Sequence, residues 1–147
     1  MTGAAQRGGD EQITLEQLDE QEAVFGRAFA SADLALARPL YHPDVVYVSP
    51  TVRLFGWPAR VRGVDDTLRF IALTIAGIDN IAYRVAERAV VPHGGAYVKV
   101  DFDFDFDGCR RRSTYVVVYR YTRSRISRQE IYYDPSAEPP LLTAGAS

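Results

Sequence analysis

From Ala96 to Asp107 the chain alternates over much of its length, closing with Phe102, Phe104 and Phe106 set between Asp101, Asp103, Asp105 and Asp107. A period of two places the rings on one face of a strand and the carboxylates on the other. Asp107-Gly108 has the chemistry of a two-residue hairpin turn, and Ser113–Tyr121 returns as the partner strand. Ile81–Val91 and Ile126–Tyr133 read as further strands, with Pro92-His93-Gly94-Gly95 as a turn. The second half of the chain therefore predicts an antiparallel sheet with one buried and one wet face.

The first half carries a different period. Thr14 followed by Gln17 is a capping-box pattern, with apolar Ile13 just before it. Leu15, Leu18, Phe25, Ala28 and Phe29 then recur at helical spacing. Ser31–Asp33 predicts a break and a new cap, opening a short helix over Leu34–Tyr41 that Pro39 makes irregular. Asp44–Ser49 is a strand ended by Pro50, and residues 51–64 hold a loop with two glycines and a proline. Asp65 is expected to cap a helix over 66–76, with Leu68, Ile71, Ala72 and Ile75 inward and Gly77 ending it. Helices first and an antiparallel sheet afterwards give an α+β class. The folded unit is expected over 13–135, with tails at 1–12 and 136–147.

A 147-residue chain, 47% hydrophobic, has the size of one domain with a full core. Its 17 basic and 19 acidic residues give a net charge of −2, so bulk charge draws in neither nucleic acid nor an anionic membrane. Cys109 is the single cysteine, and His42 and His93 are the two histidines, which excludes cysteine-based and all-histidine metal sites. No run approaches the ~18 apolar residues of a membrane span, and the first twelve residues lack the apolar core of a secretion signal. The chain is expected to be cytoplasmic, with no cofactor and no metal.

Several strings, in this order, resemble the NTF2-like superfamily and its SnoaL-like domains. They are Phe29-Ala-Ser-Ala-Asp-Leu34, Leu40-Tyr-His-Pro-Asp-Val-Val46, Ser49-Pro50, Arg62-Gly63 before a helix, and Ile131-Tyr-Tyr-Asp-Pro135. The resemblance covers about 13–135 and implies a cone: N-terminal helices packed on a strongly curved, largely antiparallel sheet, with a pocket between them and a homodimer built through the outer sheet face. Ketosteroid isomerases, polyketide cyclases, limonene-type epoxide hydrolases, scytalone dehydratases and non-catalytic binding domains share it, so it leaves function open. The positions that carry the isomerase's base, oxyanion-hole tyrosine and late acid fall here on Ser49, Phe25 and Val117. None of these can supply a base and a neutral acid with separated pKa values. The last acid of the epoxide hydrolases falls near Ile131, also apolar.

Alternation and this register together predict the pocket wall. If Phe102, Phe104 and Phe106 face inward on one strand of the hairpin, so do Tyr115, Val117, Tyr119 and Tyr121 on its partner. Tyr47 and Ser49 join from the first strand, and Gln129, Ile131 and Tyr133 from the last. Phe25, Phe29 and Phe70 close the back from the helices, with Trp57 as a lid. Such a wall suits a small, mostly apolar aromatic, polycyclic or terpenoid molecule, oriented by phenol hydroxyls. The competing reading is that the rings simply fill the core. Candidate catalytic groups are Asp134, beside Tyr133, with His42 as a base near neutral pH and Tyr47 polarising an oxygen. The aspartate row stands ~6.5–7 Å apart along its strand, too straight for a calcium site. It is expected on the outer face, neutralised by Arg110, Arg111, Arg112, Arg120, Arg123, Arg125 and Arg128, which also argues against that arginine cluster as an RNA-binding stripe. Two functions remain: a cofactor-independent cyclase, isomerase, dehydratase or hydrolase, or a binding protein that does no chemistry. A purely structural domain would need the cavity filled.

Overall fold

A computed structural model describes residues 12–50 and 56–133. Helix α1 spans Leu15–Ala30 and opens with the expected capping box. The Gln17 amide donates to Thr14 Oγ1 at 3.0 Å, and the Thr14 amide donates to Gln17 Oε1 at 2.8 Å. Ile13 is buried just outside it, and Leu18, Phe25 and Ala28 carry its buried stripe.

After Ser31 the chain tightens into a 3-10 helix over Leu34–Leu40, with Pro39 inside it. Asp33 makes no side-chain cap there, contrary to expectation. Strand β1 is Tyr41–Val48, beginning three residues before the predicted start, with a register shift between Tyr41 and Val46 that accommodates Pro43. Strand β2 is Arg60–Arg62 and helix α2 is Val64–Ile75. The cap of α2 is Gly63 at φ +88°, not Asp65. Asp65 and Asp66 instead lie in its first turn, where negative charge suits the helix dipole, and Asp65 pairs with Arg38 at 2.8 Å.

Strands β3 (Asp79–Val90), β4 (Ala96–Phe106), β5 (Cys109–Thr122) and β6 (Arg125–Tyr133) complete one six-stranded sheet in the order β2-β1-β6-β5-β4-β3. Among the described residues only the β1–β6 pair is parallel. The β4–β5 hairpin turns at Asp107 and Gly108, both at positive φ, as a primed turn requires. Register shifts in β1, in β3–β4 and at Arg120/Tyr121 bend the sheet around α1, α2 and the 3-10 helix. This is the α+β cone.

The alternation of β4 is realised residue by residue. Val98, Val100, Phe102 and Phe104 are buried, while Asp101, Asp103 and Asp105 point outward. Asp103 takes a two-pronged bond from Arg112 at 2.7 and 3.1 Å. Asp105 pairs with Arg110 and Asn80, and Asp101 with Arg84 and Thr114. Arg84, Arg110, Arg112 and Thr114 sit directly across the β3–β4 and β4–β5 ladders from their partners, so the sheet itself supplies donors to these carboxylates. Phe106, at the end of the hairpin, is only half-buried and lies under the Arg111 guanidinium.

Candidate functional site

A cavity remains between the helices and the concave sheet. Helix α1 contributes Phe25 and Phe29, and α2 contributes Ile71, Thr74 and Ile75. From the sheet come Tyr47, Tyr83 and Phe102, then Tyr115 and Tyr119 of β5, and Gln129, Ile131 and Tyr133 of β6. Its inner free space is about 50 Å³, and about 580 Å³ with the open mouth included. Phe29 stacks on Tyr83 at 5.4 Å and meets Phe102 edge-on at 5.3 Å, while Tyr115 leans on Phe102 and Tyr133. These contacts lock the rings as walls.

Behind two of the wall phenols sits a carboxyl side chain on the buried face of α1. Glu22 is 5% exposed. Tyr83 donates its hydroxyl to Glu22 Oε1, Tyr119 donates to Oε2 at 3.0 Å, and Gln21 Nε2 donates to Oε2 at 2.9 Å. Gln21 in turn accepts from the Tyr121 hydroxyl at 2.8 Å. Burial pushes the Glu22 carboxyl above the usual glutamate range; the three donors oppose that shift, and the nearby Asp19 charge adds to it. Burial also raises Tyr47, Tyr83, Tyr115 and Tyr119, so these phenols stay protonated and act through hydrogen bonds.

The residues predicted for the site separate into three groups. Phe25, Phe29, Tyr47, Phe102, Tyr115, Tyr119, Gln129, Ile131 and Tyr133 all line the cavity. Phe70, Phe104 and Val117 are fully buried beside it, and Ser49 is buried and hydrogen-bonds Tyr47. Trp57 packs edge-on against Phe70 at 5.3 Å, and Phe70 leans on Tyr47, so the indole covers the second layer of the wall. His42 is turned to its own strand: its Nδ1 accepts from the Asp44 amide at 3.1 Å, and it does not line the cavity. Asp134 lies outside the described residues. Gln129 does more than line the wall, since its Oε1 accepts from the buried Tyr41 hydroxyl at 2.6 Å.

Glu22, Gln21, Tyr83 and Thr74 are the polar members that sequence reasoning missed. A signal for Glu22 was present: it falls between Leu18 and Phe25 at helical spacing, inside the apolar stripe. A carboxylate there must either be solvated or find donors inside. Tyr83 faces Phe102 across the β3–β4 ladder, a register that the shifts in β3 hide from a simple count.

No family sequence model matches the chain, and no curated protein matches it. Solved structures do match. A hypothetical protein of ketosteroid isomerase-like fold from Catenulispora acidiphila, crystallised with trimethylamine, aligns over 85% of this chain and 90% of its own, at TM-score 0.66 and 16% identity. An M. tuberculosis LEH-like epoxide hydrolase aligns over 89% and 92%, at 0.64 and 14%. TerC, co-crystallised with polyporic acid, aligns over 80% and 92%, at 0.67 and 17%. Others are described as SnoaL-like and NTF2-like.

Proposed function

We propose, from the premise that this chain has the cone fold of ketosteroid isomerase-like, SnoaL-like and NTF2-like proteins, that its cavity holds a small, flat, mostly apolar molecule. The observation that carries this reading is the wall itself: rings from α1, β3, β4, β5 and β6 surround a narrow space with phenol hydroxyls on it. Apolar rings supply the binding free energy and a few hydroxyls fix orientation. A polycyclic or terpenoid skeleton would occupy the open mouth, where the free space reaches about 580 Å³. The bound compounds of two structural neighbours, trimethylamine and polyporic acid, are consistent with a small-molecule site in this fold. A panel of bicyclic and tricyclic ring compounds should raise the melting temperature with the logarithm of concentration, about 2.7 kcal/mol of added stability at a hundredfold excess over Kd. A flat response across the whole panel would overturn the reading.

A second reading, a cofactor-independent isomerase, cyclase, dehydratase or hydrolase, is favoured by one observation. Glu22 is a buried carboxyl bonded to two cavity phenols, the kind of group whose pKa can be set for proton transfer. Tyr47 would polarise a ligand oxygen in this scheme and Asp134 would move the proton. Loss of turnover with retained ligand binding in Asp134→Asn and Tyr47→Phe supports catalysis. Failure to convert any ketone or epoxide that binds leaves the non-catalytic binder.

A further inference from the structure

The carboxylate of Glu22 receives three hydrogen bonds, from Tyr83, Tyr119 and Gln21. With both phenol hydrogens spent on Glu22, the cavity sees phenol oxygens only as acceptors. A proton on Glu22 changes that count. Its new O–H needs an acceptor, and the phenol oxygens of Tyr83 and Tyr119, already in contact with the carboxyl, can accept it. The phenol that accepts must then turn its own hydrogen elsewhere. Tyr83 and Tyr119 both line the cavity and also lie within hydrogen-bonding reach of each other, so a ligand oxygen competes with the neighbouring phenol for that hydrogen.

We infer that Glu22 is a positioning residue that selects the ligand's polar group: as a carboxylate it holds both phenol hydrogens away from the cavity, and as a carboxylic acid it releases one to an accepting oxygen, such as a ring ketone or quinone carbonyl. Binding of such a ligand takes up a proton, and the proposal rests on the cavity reading above. Burial acts in the same direction, since it favours the neutral carboxyl.

The groups facing Glu22 leave it as the titrating centre. On α1 these are Gln21 and Asp19, the latter ion-paired to Arg88 of β3. From the sheet they are Tyr83 of β3, Tyr41 of β1, and Tyr115, Tyr119 and Tyr121 of β5. Among the described residues no cation contacts Glu22, and neither histidine lies against it.

The test is calorimetric titration of the full chain with 1-tetralone, which only accepts, and 1-naphthol, which can donate, between about pH 5 and about pH 8. Two buffers of different ionisation enthalpy count the protons exchanged. Tetralone affinity should fall by up to about tenfold per pH unit on the alkaline side, with up to about one proton taken up per ligand. Naphthol should lack that fall. In Glu22→Gln the amide N–H donates to a phenol as the acid does, so tetralone affinity should stay level across the range. Should that variant not fold, the proton count on the unaltered chain still decides. Tetralone binding that is independent of pH with no proton exchanged, or the same fall in Glu22→Gln, would overturn the proposal with the cavity reading intact. Absence of binding by either probe at every pH would remove the cavity reading and this proposal with it.

Discussion

At the residue scale the molecule turns on a carboxyl placed where its helix is otherwise apolar. A buried, ionised carboxylate is costly unless donors surround it, and Glu22 has Tyr83, Tyr119 and Gln21. Because burial raises its pKa, the folded chain binds the proton more tightly than the unfolded chain does. Stability from this group is therefore full at low pH. It declines as pH rises from the ordinary glutamate range through the raised value, by about 1.4 kcal/mol per pH unit within that window. Glu22→Gln should abolish this slope, which urea unfolding at several pH values would read, and an unchanged slope would contradict the assignment. Acidic residues on the outer face act in the opposite sense. Arg112 holds Asp103 below its usual range, as Asn80 and Arg110 do Asp105, and that contribution is lost as pH falls. The aromatic stripe Phe25 and Phe29 was legible in the sequence because it follows helical period. Glu22 was passed over because one charge does not break such a pattern.

At the element scale, legibility followed the range of the interactions. The β4–β5 hairpin could be read because its alternation and its Asp-Gly turn are local. The capping box of α1 is local too. The start of β1 could not be read, because its pairing is with the distant β6 and crosses a register shift around Pro43. Gly63 as the cap of α2 depends on its amide donating to the Val45 carbonyl at 2.8 Å, again a non-local bond. Gly95 shows how such constraints reach the site. It sits at φ +97°, and a Cβ there would stand 2.7 Å from the Tyr119 carbonyl oxygen. Gly95→Ala must therefore strain its own backbone and push β5 at a cavity residue. It should cost more than about 1 kcal/mol by chemical unfolding and weaken ligand binding as well. A neutral result would show that the turn and β5 can separate freely. Asp103→Asn, by contrast, removes one half-exposed ion pair, of a kind usually worth about 0–1 kcal/mol.

At the scale of the whole molecule, helix-first and sheet-after order was enough to give the α+β class. The cone itself came from resemblance and is matched by solved structures of 12–21% identity. Fold at that distance does not select a reaction, and the residues do. Phe25 and Val117 offer no acid or base, Ser49 is engaged with Tyr47, and the buried carboxyl sits at Glu22 instead. A homodimer through the outer face of the sheet is the assembly we propose from the resemblance. It would bury the paired aspartates and arginines of β3–β5, and sedimentation velocity should show a two-chain species; a monomer at all concentrations would exclude it. The central claim is that the cavity receives a flat ring whose polar atom meets the phenols held by Glu22. A crystal structure with 1-tetralone tests it most directly. The ring should lie in the cavity against the wall made by Phe29, Phe102 and Tyr115, with its oxygen within hydrogen-bonding distance of Tyr83 or Tyr119. A cavity left empty while the ligand occupies the outer surface would contradict it.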